Sequence, residues 1–142
     1  MFKTILVALD GSQSTDQVIE ALNQLQLQQA EKVILSHVVT GAPSDFEMVA
    51  DRPHPHAEEV PYRHIEKLLQ SYQEQLPCHS ELEIVAGDPA EEIIRLANIY
   101  QADLILIGSR GLTGLKRILE GSVSSQVVAD APCSVLVIKA KA

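Results

Sequence analysis

The 142 residues suffice for one domain with a self-sufficient core, and the expected organisation is a single domain over 1–142. Apolar residues make up 46% of the chain but aromatic ones only 4%, so that core has to be aliphatic. A formal net charge of −8 argues against a nucleic-acid partner, and no apolar run approaches the 18 or so residues of a membrane span.

The first element is the run "TILVAL" at 4–9, a strand ending at Asp10. The opening "MFKTILVALDGS" has a five-residue apolar run soon broken by Asp10, too short for a secretory signal, so the expected location is the cytoplasm. Helical spacing follows over 14–29, where Val18, Ala21, Leu22 and Leu25 share a face and Ser12 or Ser14 can cap. "KVILSHVV" at 32–39 is the second strand. The stretch 40–57, with three prolines and little periodicity, is expected to be a surface loop. Within it His54 and His56 stand beside Glu58 and Glu59. Imidazole and carboxylate suit zinc, but two such residues in a loop are more often simply exposed.

A second helical pattern at 58–76 aligns Ile65, Leu68, Leu69, Tyr72 and Leu76. "LEIVA" at 82–86 is the third strand. In "GDPAEE" at 87–92, Asp88 reads as an N-cap, Pro89 as the first helical residue, and Glu91 and Glu92 as the acidic first turn of a helix over 89–100 with Ile93, Ile94 and Ala97 inward. "DLILI" at 103–107 and "SVLVI" at 134–138 close the set of strands. Between them a helix is expected over 122–130, with Val123, Val127 and Val128 as its apolar stripe.

The strand runs are short, β-branched and nearly continuous rather than alternating, as in a parallel sheet covered on both faces. Five strands interleaved with four helices make an α/β fold, an open sheet with right-handed crossovers. Ligands of such sheets bind beyond the carboxyl ends of the strands, at the point where strand order reverses. Those ends are "LDGS", "HVVT", "AGDP" and "IGSRG".

The last of them opens the stretch "IGSRGLTGLKRILEGSVSS" at 107–125, which holds four glycines. Gly108, two residues, Gly111, nine residues and then Gly121-Ser122 is the spacing. Glycines let a backbone approach phosphate oxygens, and a helix starting near Gly121-Ser122 would add unpaired N–H groups and positive dipole. The bland alternative, that the glycines only turn the chain, needs one or two of them and not four beside a serine. Charge agrees: residues 108–142 hold Arg110, Lys116, Arg117, Lys139 and Lys141 against Glu120 and Asp130, while the other 107 residues hold six basic and seventeen acidic side chains. The stretch is neither a Walker A loop, for want of Gly-Lys-Ser/Thr, nor the dinucleotide GxGxxG. Cys78 and Cys133 lie 55 apart in no CxxC pair and read as small near-core residues.

On these residues the chain resembles the universal stress proteins of the ATP-binding kind, along its whole length. "KTILVALDGS" resembles the family's first strand and terminal Asp, "VILSHVV" its second strand, "GDPAEEI" the turn into its third helix and "APCSVLVIK" its closing strand. Gly108-x2-Gly111-x9-Gly121-Ser122 matches its nucleotide signature without a gap. The resemblance implies a Rossmann-like sheet of order 3-2-1-4-5, akin to the adenine nucleotide alpha hydrolases. It implies that Asp10 meets the ribose or a phosphate and that Val38 presents backbone groups to adenine. Gly108, Gly111, Gly121 and Ser122 would cradle phosphates, with Arg110, Val123 and Ser124 close by. The ligand implied is ATP or AMP, with Mg2+ as a candidate companion through the phosphates. The assembly implied is a homodimer through the edge strand Ser134–Ile138, whose pairing would remove an aggregation hazard. Ala8 departs from members with Pro at that position. The expected function is a regulatory nucleotide-binding protein of the stress response. A slow ATPase and a scaffold with a vestigial pocket stand as alternatives.

Overall fold

The computed structural model describes residues 2–9, 14–25, 30–39, 55–108 and 115–138; for residues 14, 55–62 and 115–122 it describes the backbone alone. The strands are β1 (Thr4–Ala8), β2 (Lys32–Val39), β3 (Ser80–Ala86), β4 (Leu104–Gly108) and β5 (Ser134–Ile138). The helices are α1 (Ser14–Gln24), α2 (Pro55–Gln73), α3 (Pro89–Tyr100) and α4 (Leu115–Asp130). All four strand pairings are parallel, and the sheet order is β3-β2-β1-β4-β5.

Side chains alternate across the sheet as a period of two requires. Ile5, Val7 and Leu9 of the β1 segment, Val33 and Leu35 of β2, and Leu104 and Leu106 of β4 pack with Val18, Ile19 and Leu22 of α1 and Leu69 of α2. Leu6, Ile34, Ile105 and Ile107 face the other way, against Ala90, Ile93, Leu96 and Ala97 of α3 and Val127 of α4. The continuous apolar runs of β1, β2 and β4 thus reflect burial on both faces, and Leu6, Val7, Val33, Ile34, Leu35, Ile105 and Leu106 are wholly enclosed. Truncating one of the larger of these to Ala should cost ~2–5 kcal/mol. Edge strand β5 differs: Ser134 is exposed and Leu136 is 39% exposed.

Local chemistry explains the boundaries of α3. Asp88 is its N-cap, its carboxylate accepting from the Glu91 amide at 3.0 Å, and Pro89 occupies the first turn, where no intrahelical donor is needed. Gln101 ends it in a left-handed conformation, φ 52° and ψ 50°, with its N–H turned back to the carbonyls of Ala97 and Asn98. Gly87, just before the cap, has φ +146°, a region that side-chain-bearing residues rarely adopt.

Three sequence expectations are corrected. The expected loop over 40–57 gives way to helix at Pro55, which sits where a helix tolerates proline best; residues 40–54 lie outside the described residues. α4 starts at Leu115 and not near Gly121, because Leu115–Glu120 (LKRILE) is a run of good helix formers that carries the helix through one glycine. Val128, expected to point inward, is 55% exposed, while Val127 is fully buried.

Candidate functional site

Strand order reverses between β1, whose neighbour on one side is β2, and β4, which leads outward to β5. The register places Ala8 beside Ile107, so the chain leaves the sheet side by side at Leu9 and Gly108. Such a reversal is where open α/β sheets form a crevice, and the helices that follow β1 and β4 lie on opposite faces. Gly108, the first glycine of the spaced set, is half-buried at this edge of β4. Its missing Cβ has a packing reason: an ideal Cβ there would stand 3.2 Å from Cγ2 of Val18 on α1.

Val38 lies in β2 opposite Val85 and is half-buried on the α3 and α4 side of the sheet. Val123 packs against the same core, and Ser124 is buried at 9% exposure. Gly121 and Ser122 belong to the body of α4, so their amides lie inside the helix rather than at its start. The unpaired amides of α4 instead fall in its first turn, over 115–118. That turn has no acidic residue, and it holds Lys116 and Arg117. By sequence, no acidic residue of this turn offsets the positive end of the helix dipole. Asp10, Arg110 and Gly111 lie outside the described residues.

The carboxyl end of β1 is tied to β2 by more than the ladder. The Leu9 amide donates to the Ser36 carbonyl at 2.8 Å, and buried Ser36 donates its hydroxyl to the Val7 carbonyl at 2.8 Å. Nδ1 of His37 meets the Leu9 carbonyl at 2.8 Å. His37 is not among the site residues that the sequence pattern pointed to. A serine and a histidine inside an otherwise aliphatic strand were the available signal. His64 on α2 and His79 just before β3 are both exposed.

Away from this edge, polar side chains pair on the surface. Lys32 meets Glu81 at 2.6 Å, which holds the Glu81 carboxyl below its usual range, and its ammonium stands 5.6 Å from the centre of the Tyr100 ring. Tyr100 donates to Glu83 at 2.7 Å. Among the described residues no group of three or more His, Cys, Asp or Glu side chains is placed to hold a metal ion, and no helix is long and apolar enough to cross a membrane. His54 lies outside the described residues, and the side chains of His56, Glu58 and Glu59 are not described.

Comparison with known proteins agrees with the topology. The family model described as "Universal stress protein family" matches residues 1–139. Universal stress protein MJ0531 of Methanocaldococcus jannaschii is 33% identical over 147 residues, covering 98% of this chain and 83% of that protein. The solved structure of MJ0577 from the same organism superposes with a TM-score of 0.82 at 29% identity, covering 100% of this chain and 99% of the other. Two structures share the fold at lower identity. A universal stress protein in complex with cAMP is 22% identical, with a TM-score of 0.69 and coverage of 96% of each chain. An Arabidopsis thaliana family protein with AMP bound is 21% identical, with a TM-score of 0.66, over 99% of this chain and 93% of that one. By its sequence, strand order and match over nearly its whole length, the chain belongs to the universal stress protein family.

Proposed function

We propose that the protein is a regulatory module that binds an adenine nucleotide, ATP or AMP, at the carboxyl edge between β1 and β4. The observation that carries the reading is the position of the glycine pattern. Gly108-x2-Gly111-x9-Gly121-Ser122 starts at the strand end beside the switch point and runs into a helix whose first turn is basic. The relatives named for AMP and cAMP supply the ligand class. In this reading Asp10 faces the ribose or a phosphate and Val38 faces adenine. Gly108, Arg110, Gly111, Gly121, Ser122, Val123 and Ser124 line the phosphate side. Mg2+ would be held through the phosphates, whose charge it neutralises. Gly108 serves this site by closing α1 onto β4, since its Cβ direction points at Val18.

Binding, with at most slow hydrolysis, is favoured over an enzyme. Phosphoryl transfer needs a positioned nucleophile and a metal clamp, and the sequence offers no clear carboxylate pair beyond Asp10. The protein would act in the cytoplasm as one domain over 1–142. It would act as a homodimer through β5, where half-exposed Leu136 and an open strand edge favour a twofold mate.

The test begins with the purified protein. It is denatured and the released small molecules are identified, and ATP, AMP and cAMP are titrated calorimetrically into nucleotide-free protein. An adenine nucleotide retained on purification or bound on titration supports the module. Phosphate release in ATP with Mg2+ at steady turnover would favour the ATPase. No binding of any of the three would leave the scaffold.

A further inference from the structure

The imidazole of His37 has no part in the site as drawn so far. Its Nδ1 lies 2.8 Å from the Leu9 carbonyl oxygen. A carbonyl only accepts, so Nδ1 carries the proton, and in the neutral ring Nε2 is left as the lone-pair nitrogen. The regular β1–β2 register ends at Ala8 opposite Ser36. His37 therefore extends the grip of β2 on β1 beyond the last paired residue. Ser36 adds a side-chain bond within the paired stretch, from inside the core, through the Val7 carbonyl. Consecutive residues of β2 thus hold two carbonyls of β1 by their side chains.

The location of the second bond gives it a consequence. The Leu9 carbonyl belongs to the peptide unit that leads into Asp10, and peptide units are planar. Pinning the oxygen restricts the direction in which the chain departs from β1. By strand alternation His37 stands on the face of Val33 and Leu35, and its register partner Ile84 packs in that same core. Val38, expected beside adenine, faces the opposite side. One short segment of β2 would then serve the site from both faces.

We infer that His37 is a positioning residue for the nucleotide site: it acts through the Leu9 carbonyl, fixing the peptide at the end of β1 beside which the nucleotide is proposed to bind. The inference rests on the nucleotide-binding reading above. A merely structural bond would alter stability, and affinity only as stability allowed. A positioning bond, when the variant fails to replace Nδ1, would weaken affinity by more than the loss of stability accounts for. The amide nitrogen of Asn sits close to where Nδ1 of His does, whereas that of Gln reaches toward Nε2.

The experiment titrates ATP with Mg2+ into the wild type, His37→Asn and His37→Gln, with denaturation midpoints measured on the same nucleotide-free samples. The Asn variant should bind within about threefold of wild type and the Gln variant about tenfold more weakly, the scale of one lost hydrogen bond. That gap should exceed any difference between their stabilities. Equal affinity of the Gln variant and wild type would overturn the inference. So would equal weakening of both variants in proportion to lost stability. Should His37→Gln not fold, His37→Ala carries the same expectation. Absence of ATP binding by the wild type is a different result, which removes the nucleotide reading and this inference with it.

Discussion

Gly108 leaves little spare room beside Val18: a Cβ built on the glycine would stand 3.2 Å from the valine Cγ2. Val18 is 2% exposed and wedged between α1 and the sheet, so it has little room to retreat. The first glycine of the spaced set thus has a packing reason that does not depend on a ligand. Gly108→Ala should destabilise the protein by ~1–3 kcal/mol, the usual cost of an extra methyl in a filled core. Val18→Ala made together with it should recover part of that loss, seen as favourable coupling in a double-mutant cycle by urea denaturation. Unchanged stability in Gly108→Ala would show that α1 adjusts freely.

Gly121 predicts effects of opposite sign. It lies in the interior of α4, where glycine is less favourable than alanine by ~1 kcal/mol. Gly121→Ala should therefore raise the thermal midpoint. If the glycine is kept for the approach of a phosphate, the same variant should bind ATP at least tenfold more weakly. Gly121→Val should abolish binding without destabilising the helix, because valine is no worse a helix former than glycine and its β-branch fills more of the space. Higher stability with undiminished affinity would separate Gly121 from the ligand.

The sequence showed the sheet more clearly than the helices, for a physical reason. Residues of β2 and β5 announce themselves by dense β-branched runs, and both strands end where those runs end. Asp88-Pro89 fixes the start of α3 because cap and first-turn proline are local devices. The start of α4 was hidden because Gly121-Ser122 mimics a cap, and whether a helix passes through a glycine depends on its neighbours and its packing. The switch point was legible as a class of location, from alternating strands and helices. The His37–Leu9 bond was not, since it joins positions 28 residues apart and follows only from register.

Two tyrosines tie stability to alkaline pH. Tyr72 donates to Asp16 across α2 and α1, and burial followed by that carboxylate pushes its phenol from 10.0 up to about 12. Tyr100 is raised to about 12 by burial and then by Glu83. The fold favours the neutral phenols, so the unfolded chain ionises first as pH rises. Their contribution is complete below about pH 10 and is lost as pH climbs through about 12. The urea midpoint should fall between those values. Tyr72→Phe and Tyr100→Phe should each flatten the decline while lowering stability near neutrality. A midpoint indifferent to pH over that window would contradict both assignments.

Asp103 joins the start of β4 to the start of β1 and also biases a thiol. Its Oδ2 accepts from the amides of Lys3 and Thr4, each at 3.0 Å, while its own amide donates to the Thr4 carbonyl at 2.8 Å. The Cys133 thiol is pushed up first by burial and then by the negative charge of Asp103. Asp103→Ala should cost ~1 kcal/mol, a small loss because water can reach the freed amides at this exposed site. Asp103→Asn keeps an acceptor and removes the charge, so it should retain most of that stability. The loss of charge also lowers the Cys133 pKa, and a larger thiolate fraction should speed its alkylation by iodoacetamide at pH 8. Cys78, raised by burial alone, supplies the internal control and should react at its wild-type rate. Because burial is the larger cause at Cys133, the acceleration should be modest. An unchanged Cys133 rate beside an unchanged Cys78 rate would mean that the carboxylate does not act on the thiol.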